Sequence, residues 1–284
     1  ALAEEILKKK VGKNVFNHKT YVLAGDGCLM EGISQEAISL AGKLRLNKLI
    51  VFWDNNGITI DGELSKSCIT DQKTRFLASG WAVFECDGHD PKSIDLAIIA
   101  AKNQTKPSVI SCKTHIGFGS PKKQDSSAAH GSPLGEEEIK ITRENLNWHH
   151  QPFIIPEDIY EEWDHKEIGN AEEKKWQELF STYKNNFAQD ASELERLMNG
   201  NLPEELDKTV QNLISDFDQD ENSYASRKCS GICLDAIGPI MPELIGGSAD
   251  LSPSNNTEWK GTSHLTIDGD GNYLNYGVRE FGMS

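Results

Sequence analysis

Two short motifs in this chain carry the residue types of a metal–diphosphate site. They are Gly25-Asp26-Gly27 and, after 27 intervening residues, Asn55-Asn56. Asp26 and Asn56 offer hard oxygen donors, one charged and one neutral, of the kind Mg²⁺ or Ca²⁺ takes. The elements that must position them are readable on either side. Thr20-Tyr-Val-Leu-Ala-Gly25 predicts a buried strand that runs into a tight glycine turn. Helical spacing follows, with Met30, Ile33, Ala37, Leu40, Ala41 and Leu44 three and four apart. The turn is expected to set backbone N–H groups and a helix N-terminus beside Asp26, where a phosphate is favoured. Lys48-Leu-Ile-Val-Phe-Trp-Asp54 predicts the next strand, closed by Asn55-Asn56-Gly57. One βαβ unit then brings both motifs to the same edge of a parallel sheet. The plain alternative is that each motif is only a turn, because Gly-Asp-Gly and Asn-Gly are common turn sequences.

The chain has 284 residues, enough for about two domains, and its 37% hydrophobic and 26% charged content is that of a soluble globular protein. No apolar run approaches the ~20 residues that span a bilayer. The first ten residues read as an amphipathic helix rather than a signal peptide. None of the six cysteines forms a C-x-x-C pair; Cys229 and Cys233 lie one helical turn apart. They are expected to be reduced, buried and structural in an intracellular, cytoplasmic protein. The net charge of −15 is concentrated between Glu136 and Glu221, which holds 23 acidic and 8 basic residues. The acidity therefore belongs to a solvated middle segment and argues against a nucleic-acid partner.

Residues 1 to about 135 alternate strand and helix patterns. Trp81–Cys86 and Pro107–Cys112 read as strands, with a helix from Pro91 to Lys102 between them. The fold class is α/β, a doubly wound parallel sheet. Residues 136–222 form an acidic helical linker with helices expected at 156–163, 171–187, 191–198 and 203–217. Trp163, Trp176, Phe180 and Tyr183 are expected to staple it down. From 223 to 284 the α/β grammar resumes, with a helix from Arg227 to Ile237 and a strand starting after Pro242. Both ends cut a parallel sheet, so the chain is expected to be an internal segment of a longer protein.

Longer runs carry a resemblance. Gly25-Asp-Gly-Cys-Leu-Met-Glu-Gly-Ile-Ser-Gln-Glu, Asp54-Asn-Asn-Gly-Ile-Thr-Ile-Asp-Gly62, Gly117-Phe-Gly-Ser-Pro-Lys122 and His130-Gly-Ser-Pro-Leu-Gly135 are similar to transketolases. So are Gly246-Gly-Ser-Ala-Asp-Leu-Ser-Pro-Ser-Asn255 and Tyr276-Gly-Val-Arg-Glu-Phe-Gly-Met283. The order is that of the bacterial-type family, a thiamine-diphosphate-binding fold. The resemblance covers the second half of the diphosphate-binding domain (1–135), the linker, and the start of the pyrimidine-binding domain (223–284).

That resemblance implies transfer of a two-carbon ketol unit from a ketose phosphate to an aldose phosphate through a thiamine diphosphate ylid, as in the pentose phosphate pathway. It implies that Asp26, Asn56 and the carbonyl of Ile58 hold Mg²⁺ (Ca²⁺ being the alternative). Gly27 would meet the diphosphate, where a missing Cβ permits close approach. Glu280 would hydrogen-bond the aminopyrimidine of a cofactor held by the partner subunit, which makes the site a homodimer interface. Glu31 would link the two sites of the dimer. His130 would line the substrate channel and touch diphosphate and sugar hydroxyls; Asp250 would lie near the thiazolium. Arg227 and Ser254 would bind the sugar phosphate, the arginine through its bidentate fork. The other histidines, His18, His89, His115, His149, His150, His165 and His264, are expected to be structural. The family's remaining catalytic groups have no counterpart here, so the segment alone is expected to be inactive. The alternatives are a non-catalytic, truncated Mg–diphosphate module and a related enzyme such as a deoxyxylulose-phosphate or dihydroxyacetone synthase. The protein is expected to bind no nucleic acid and no membrane.

Overall fold

A computed structural model describes residues 1–12, 15–267 and 270–284. By contacts the chain forms two compact units: Lys19–Gln177 with Ala1, and Leu2–His18 with Glu178–Ser284. The first helix, α1 (Leu2–Val11), belongs to the second of these.

The first unit is built on four parallel strands. In chain order it contains β1 (Thr20–Gly25), α2 (Gly32–Lys43), β2 (Leu49–Asn55), a small hairpin β3 (Ile58–Thr59) and β4 (Gly62–Glu63), and α3 (Gln72–Ala78). β5 (Ala82–Asp87), α4 (Pro91–Lys102) and β6 (Ser108–Lys113) follow, then α5 (Glu136–Asn145) and α6 (Glu157–Trp163). The sheet order is β1-β2-β6-β5, all parallel. Successive residues of a strand face opposite sides, and the two cores show it. Val51, Trp53 and Val109 pack with Ile38 and Ala41 of α2, Phe76 of α3 and Trp81 on one face. Ile50, Ile110, Cys86 and Cys112 pack with Ala97 and Ala101 of α4 on the other. Helices on both faces make the sheet doubly wound, the expected class. α4 starts where Asp90 caps it, accepting from the Lys92 N–H at 3.0 Å, with Pro91 in the first turn.

β1 is an edge strand, and Tyr21 and Leu23, which share the α4 face in register with Ile50 and Phe52, are half and 85% exposed. The expectation of a buried strand is corrected there: no residue of β1 is buried, and Val22 on the opposite face is 39% exposed. A second correction concerns Met30. The chain turns from Asp26 to Glu31, with Leu29 N–H bonded to Gly25 O at 3.3 Å and Met30 N–H to Gly27 O at 3.0 Å. α2 begins only at Gly32, beyond this turn, and not at the residues right after Asp26. Two glycines and a small residue in the first four positions of Gly25-Asp-Gly-Cys favour a turn over a helix.

The division falls within α7 (Lys166–Asn186). The second unit continues with α8 (Ala188–Met198), α9 (Leu206–Gln219), α10 (Ser226–Ile237), β7 (Gly246–Ser248), α11 (Ser252–Asn255), β8 (Tyr273–Asn275) and α12 (Glu280–Met283). β7 and β8 pair in parallel. Ala191 and Leu194 are the buried face of α8, and Arg196 on that helix ion-pairs with Glu193 and Glu243 at 2.6 and 2.9 Å. Of the helices between residues 136 and 222, α6 to α9 were expected, though α7 starts earlier than expected, at Lys166, and α5 was not expected. The expected aromatic staple onto the domains is corrected at Trp163, which is 82% exposed; Tyr183 tilts onto Phe187, a residue of the linker itself, at 5.2 Å. Cys229 and Cys233 are half-buried on α10 rather than buried, and all six thiols are free.

Candidate functional site

The C-terminal ends of three adjoining strands surround a cavity of about 960 Å³. β1 delivers Asp26 and Gly27, β2 delivers Asp54 and Asn56, and β6 leads into Thr114, His115 and Ile116. Ile58 and His130 complete the wall. Ligands gather outside the carboxyl ends of the strands in such sheets.

Asp26 is the best-held group in the cavity. It is 5% exposed, and both carboxylate oxygens have donors. Oδ1 accepts from the Trp53 indole N–H at 2.8 Å, and Oδ2 from the Gly57 N–H at 2.7 Å. The second bond joins the end of β1 to the residue next to Asn56, so the two motifs converge. Gly57 takes φ +74, a left-handed conformation that lets the chain turn back toward Asp26 and into the β3–β4 hairpin. Asn56 is half-buried; its Oδ1 accepts from the Ile58 N–H at 2.9 Å and its Nδ2 donates to Asp54 at 3.2 Å. Thr114 donates in turn to Asp54. Asn55, the first residue of the Asn-Asn motif, faces away and bonds Ser111 of β6 at 3.0 Å.

These residues fit a hard cation carrying a diphosphate. Each bonded oxygen of Asp26 and Asn56 keeps a second lone pair. Among the described residues, no group of three or more His, Cys, Asp and Glu side chains could hold a metal. A cation here would depend on one carboxylate and neutral oxygens and leave the remaining positions to phosphate, the way Mg²⁺ is bound. In front of Gly27 a Cβ would meet nothing within 4 Å, so the backbone faces open space on the cavity side.

The loop that carries His130 is pinned from behind. Glu138, 6% exposed at the start of α5, accepts from the Ser120 hydroxyl and from the Lys122 N–H. These two bonds, the hydroxyl first, hold the Glu138 carboxyl below the usual carboxylate range. His115, expected to be structural, stands on the cavity wall. Its Nδ1 lies 2.9 Å from both oxygens of Asp125, and its ring stacks on His89 at 5.7 Å. Asp54, Trp53 and Thr114 were not singled out in the sequence either. Trp53 lies hidden in an apolar run, while alternation along β2 would have aimed Asp54 away from the Trp53 face.

Glu31 is exposed at the start of α2 and does not line the cavity. In the second unit, Arg227 and Ser254 are exposed on the adjoining helices α10 and α11. Asp250 is exposed between β7 and α11 with φ +63, and Glu280 is exposed in the first turn of α12.

The family model "Transketolase, thiamine diphosphate binding domain" matches residues 1–203, and "Transketolase, pyrimidine binding domain" matches residues 222–284. Transketolase 2 of Escherichia coli (strain K12) is 50% identical, covering 100% of this chain and 43% of that protein. Transketolase 1 of the same organism is 47% identical, covering 100% and 44%. Among solved structures, the transketolase of Pichia stipitis in complex with sedoheptulose 7-phosphate matches with a TM-score of 0.90 and 38% identity, covering 99% of this chain and 43% of that one. The transketolase of Leishmania mexicana matches with 0.89 and 36%, covering 99% and 42%. The chain spans less than half the length of these relatives. With two family models that together take in nearly all of its residues, the chain belongs to the transketolase family.

Proposed function

We propose that the natural polypeptide is a transketolase. It moves a two-carbon ketol unit between a ketose phosphate and an aldose phosphate, in the cytoplasm, within the pentose phosphate pathway. Bound thiamine diphosphate supplies a carbon nucleophile and then an electron sink for the carbanion left by C–C cleavage. The chain's own residues bind and orient. Asp26, Asn56 and the Ile58 carbonyl hold Mg²⁺; Gly27 lets the diphosphate approach the backbone; His130 faces diphosphate and substrate hydroxyls. Glu280 holds the aminopyrimidine and sets its proton, with Asp250 near the thiazolium end. Arg227 and Ser254 take the sugar phosphate. A homodimer, in which Glu280 serves the partner's cofactor and Glu31 joins the two sites, completes the centre. Residues 1–135, 136–222 and 223–284 are assigned to diphosphate domain, linker and pyrimidine domain. The 284 residues by themselves are expected not to turn over.

The observation that carries this reading is the convergence of Asp26 and Asn56 on one cavity at the sheet's C-terminal edge, with the Asp26 carboxylate bonded to the Gly57 N–H. Calorimetry of thiamine diphosphate with Mg²⁺ tests it in the full-length protein. Asp26→Ala is expected to abolish Mg²⁺-dependent binding, and unchanged affinity would refute the assignment. Turnover of xylulose 5-phosphate with ribose 5-phosphate separates a transketolase from the related synthases.

A further inference from the structure

We propose that Asp54 is a positioning residue whose carboxylate decides which end of the Asn56 amide faces the cation. The inference rests on the metal–diphosphate reading of the cavity. An asparagine amide has two ends of nearly equal size and opposite chemistry: Oδ1 accepts or ligates, and Nδ2 only donates. A cation site that uses Asn56 therefore works in one of two orientations.

The structure selects that orientation from both sides. Asn56 Nδ2 donates to Asp54 Oδ2 at 3.2 Å, and Asn56 Oδ1 accepts from the Ile58 N–H at 2.9 Å. Turned over, the amide would set its NH₂ against the Ile58 N–H and its oxygen against a carboxylate, which has no proton to give. The two constraints are not equivalent once a cation is bound. The Ile58 N–H and the cation share Oδ1, whereas Asp54 holds the other end and competes with nothing.

Asp54 is itself fixed. Its other oxygen accepts from the Thr114 hydroxyl, just beyond the end of β6. The backbone ties the same place, Thr114 N–H to Asn55 O at 3.5 Å. Consecutive residues of β2 thus divide the task across the two faces of the strand. Trp53 holds Asp26 from inside the core, and Asp54 holds Asn56 from the cavity side. Outer-shell partners of this kind orient metal ligands and tune affinity.

The competing possibility is that Asp54 acts through its charge, or ligates the cation itself, and a double-mutant cycle separates the two. Thiamine diphosphate binding with Mg²⁺ is measured by calorimetry on the full-length wild type, Asp54→Asn, Asn56→Asp and the double variant, with the thermal midpoint of each as a check on folding. An asparagine at 54 can face either end of its neighbour, so Asp54→Asn is expected to weaken binding about tenfold, the equivalent of one misdirected hydrogen bond. In the Asn56→Asp background the ligand has two like oxygens and no orientation to fix. There the loss is expected to vanish or to reverse, as like-charge repulsion is relieved. Equal losses in both backgrounds would overturn the inference in favour of direct ligation or charge. So would no loss from Asp54→Asn alone. Thr114→Val keeps every charge and removes only the hydroxyl that fixes Asp54; a several-fold loss at an unchanged midpoint is expected, and no loss supports the charge explanation and overturns the positioning role. A wild type that binds no thiamine diphosphate with Mg²⁺ is a different failure, that of the functional reading itself.

Discussion

Trp53 and Trp81 form a matched pair that isolates what a buried charge adds to a hydrogen bond. They are 5% and 1% exposed. Each spends its one side-chain N–H in a 2.8 Å bond, Trp53 on the Asp26 carboxylate and Trp81 on the Ile38 backbone carbonyl. Replacing either with phenylalanine deletes the same atoms and keeps an aromatic ring, so the packing cost is largely common to both. The acceptors differ. A net bond to a neutral partner is worth about 1 kcal/mol, and one to a charged partner about 1.5–3 kcal/mol. Trp53→Phe is therefore expected to cost roughly 0.5–2 kcal/mol more than Trp81→Phe. The Gly57 N–H at 2.7 Å remains on Asp26 and prevents a larger loss. Urea unfolding followed by far-UV circular dichroism, run on both variants under one set of conditions, measures the difference. Calorimetry adds a second readout: only Trp53→Phe is expected to weaken Mg²⁺-dependent diphosphate binding, because only Trp53 touches a proposed ligand. Equal destabilisation by the two variants, or full affinity in Trp53→Phe, would refute the reasoning.

Gly42→Ala sets helix propensity against packing. Alanine gains about 1 kcal/mol over glycine in a helix, yet its Cβ would lie 1.7 Å from the Ser79 carbonyl oxygen. Backbone cannot yield that far cheaply, so a net loss of about 1–3 kcal/mol or more is expected in urea unfolding, and a stabilised variant would contradict the contact. Burial, then the neighbouring Cys86 thiol, pushes the Cys112 thiol up to about 12, so Cys112 is expected to resist alkylation at pH 8 until unfolding; buried Cys86 is expected to be shielded by its burial, while exposed Cys28 reacts first. Peptide mapping after timed labelling checks the order. The Glu138 carboxyl is held below its ordinary value, so its contribution is complete above the unfolded value of about 4.3 and fades as pH falls through the folded one. Glu138→Gln is accordingly expected to be less stable than wild type at pH 7, with the gap in thermal midpoint closing in the acid limb below about pH 4.3; a gap independent of pH would exclude the carboxylate as its source.

Much of the frame is legible in the sequence. β1 matched its expected bounds because the apolar run from Tyr21 to Ala24 stops at Gly25, and α4 because Asp90-Pro91 caps and starts it. The two-sided sheet followed from strands and helices in alternation. The start of α2 was misplaced because period alone cannot tell that Met30 lies in a turn held by Gly25 and Gly27 carbonyls. The hairpin β3–β4 escaped notice since two-residue strands leave no period at all. The place of His115 on the cavity wall is not legible in the sequence, because a histidine in a loop carries no signal until its neighbours are known.

From the order of residues alone came an acid between two glycines and an amide before a third, each following an apolar run, the donor types a metal–diphosphate site would need. Those are local properties, dictated by side-chain type and by the periods of helix and strand. Which groups hold that acid and amide was decided only by the tertiary structure. Trp53 reaches Asp26 across 27 positions and Thr114 reaches Asp54 across 60, contacts that exist because β2 lies between β1 and β6, and strand order in a sheet is a long-range packing outcome that no local pattern encodes.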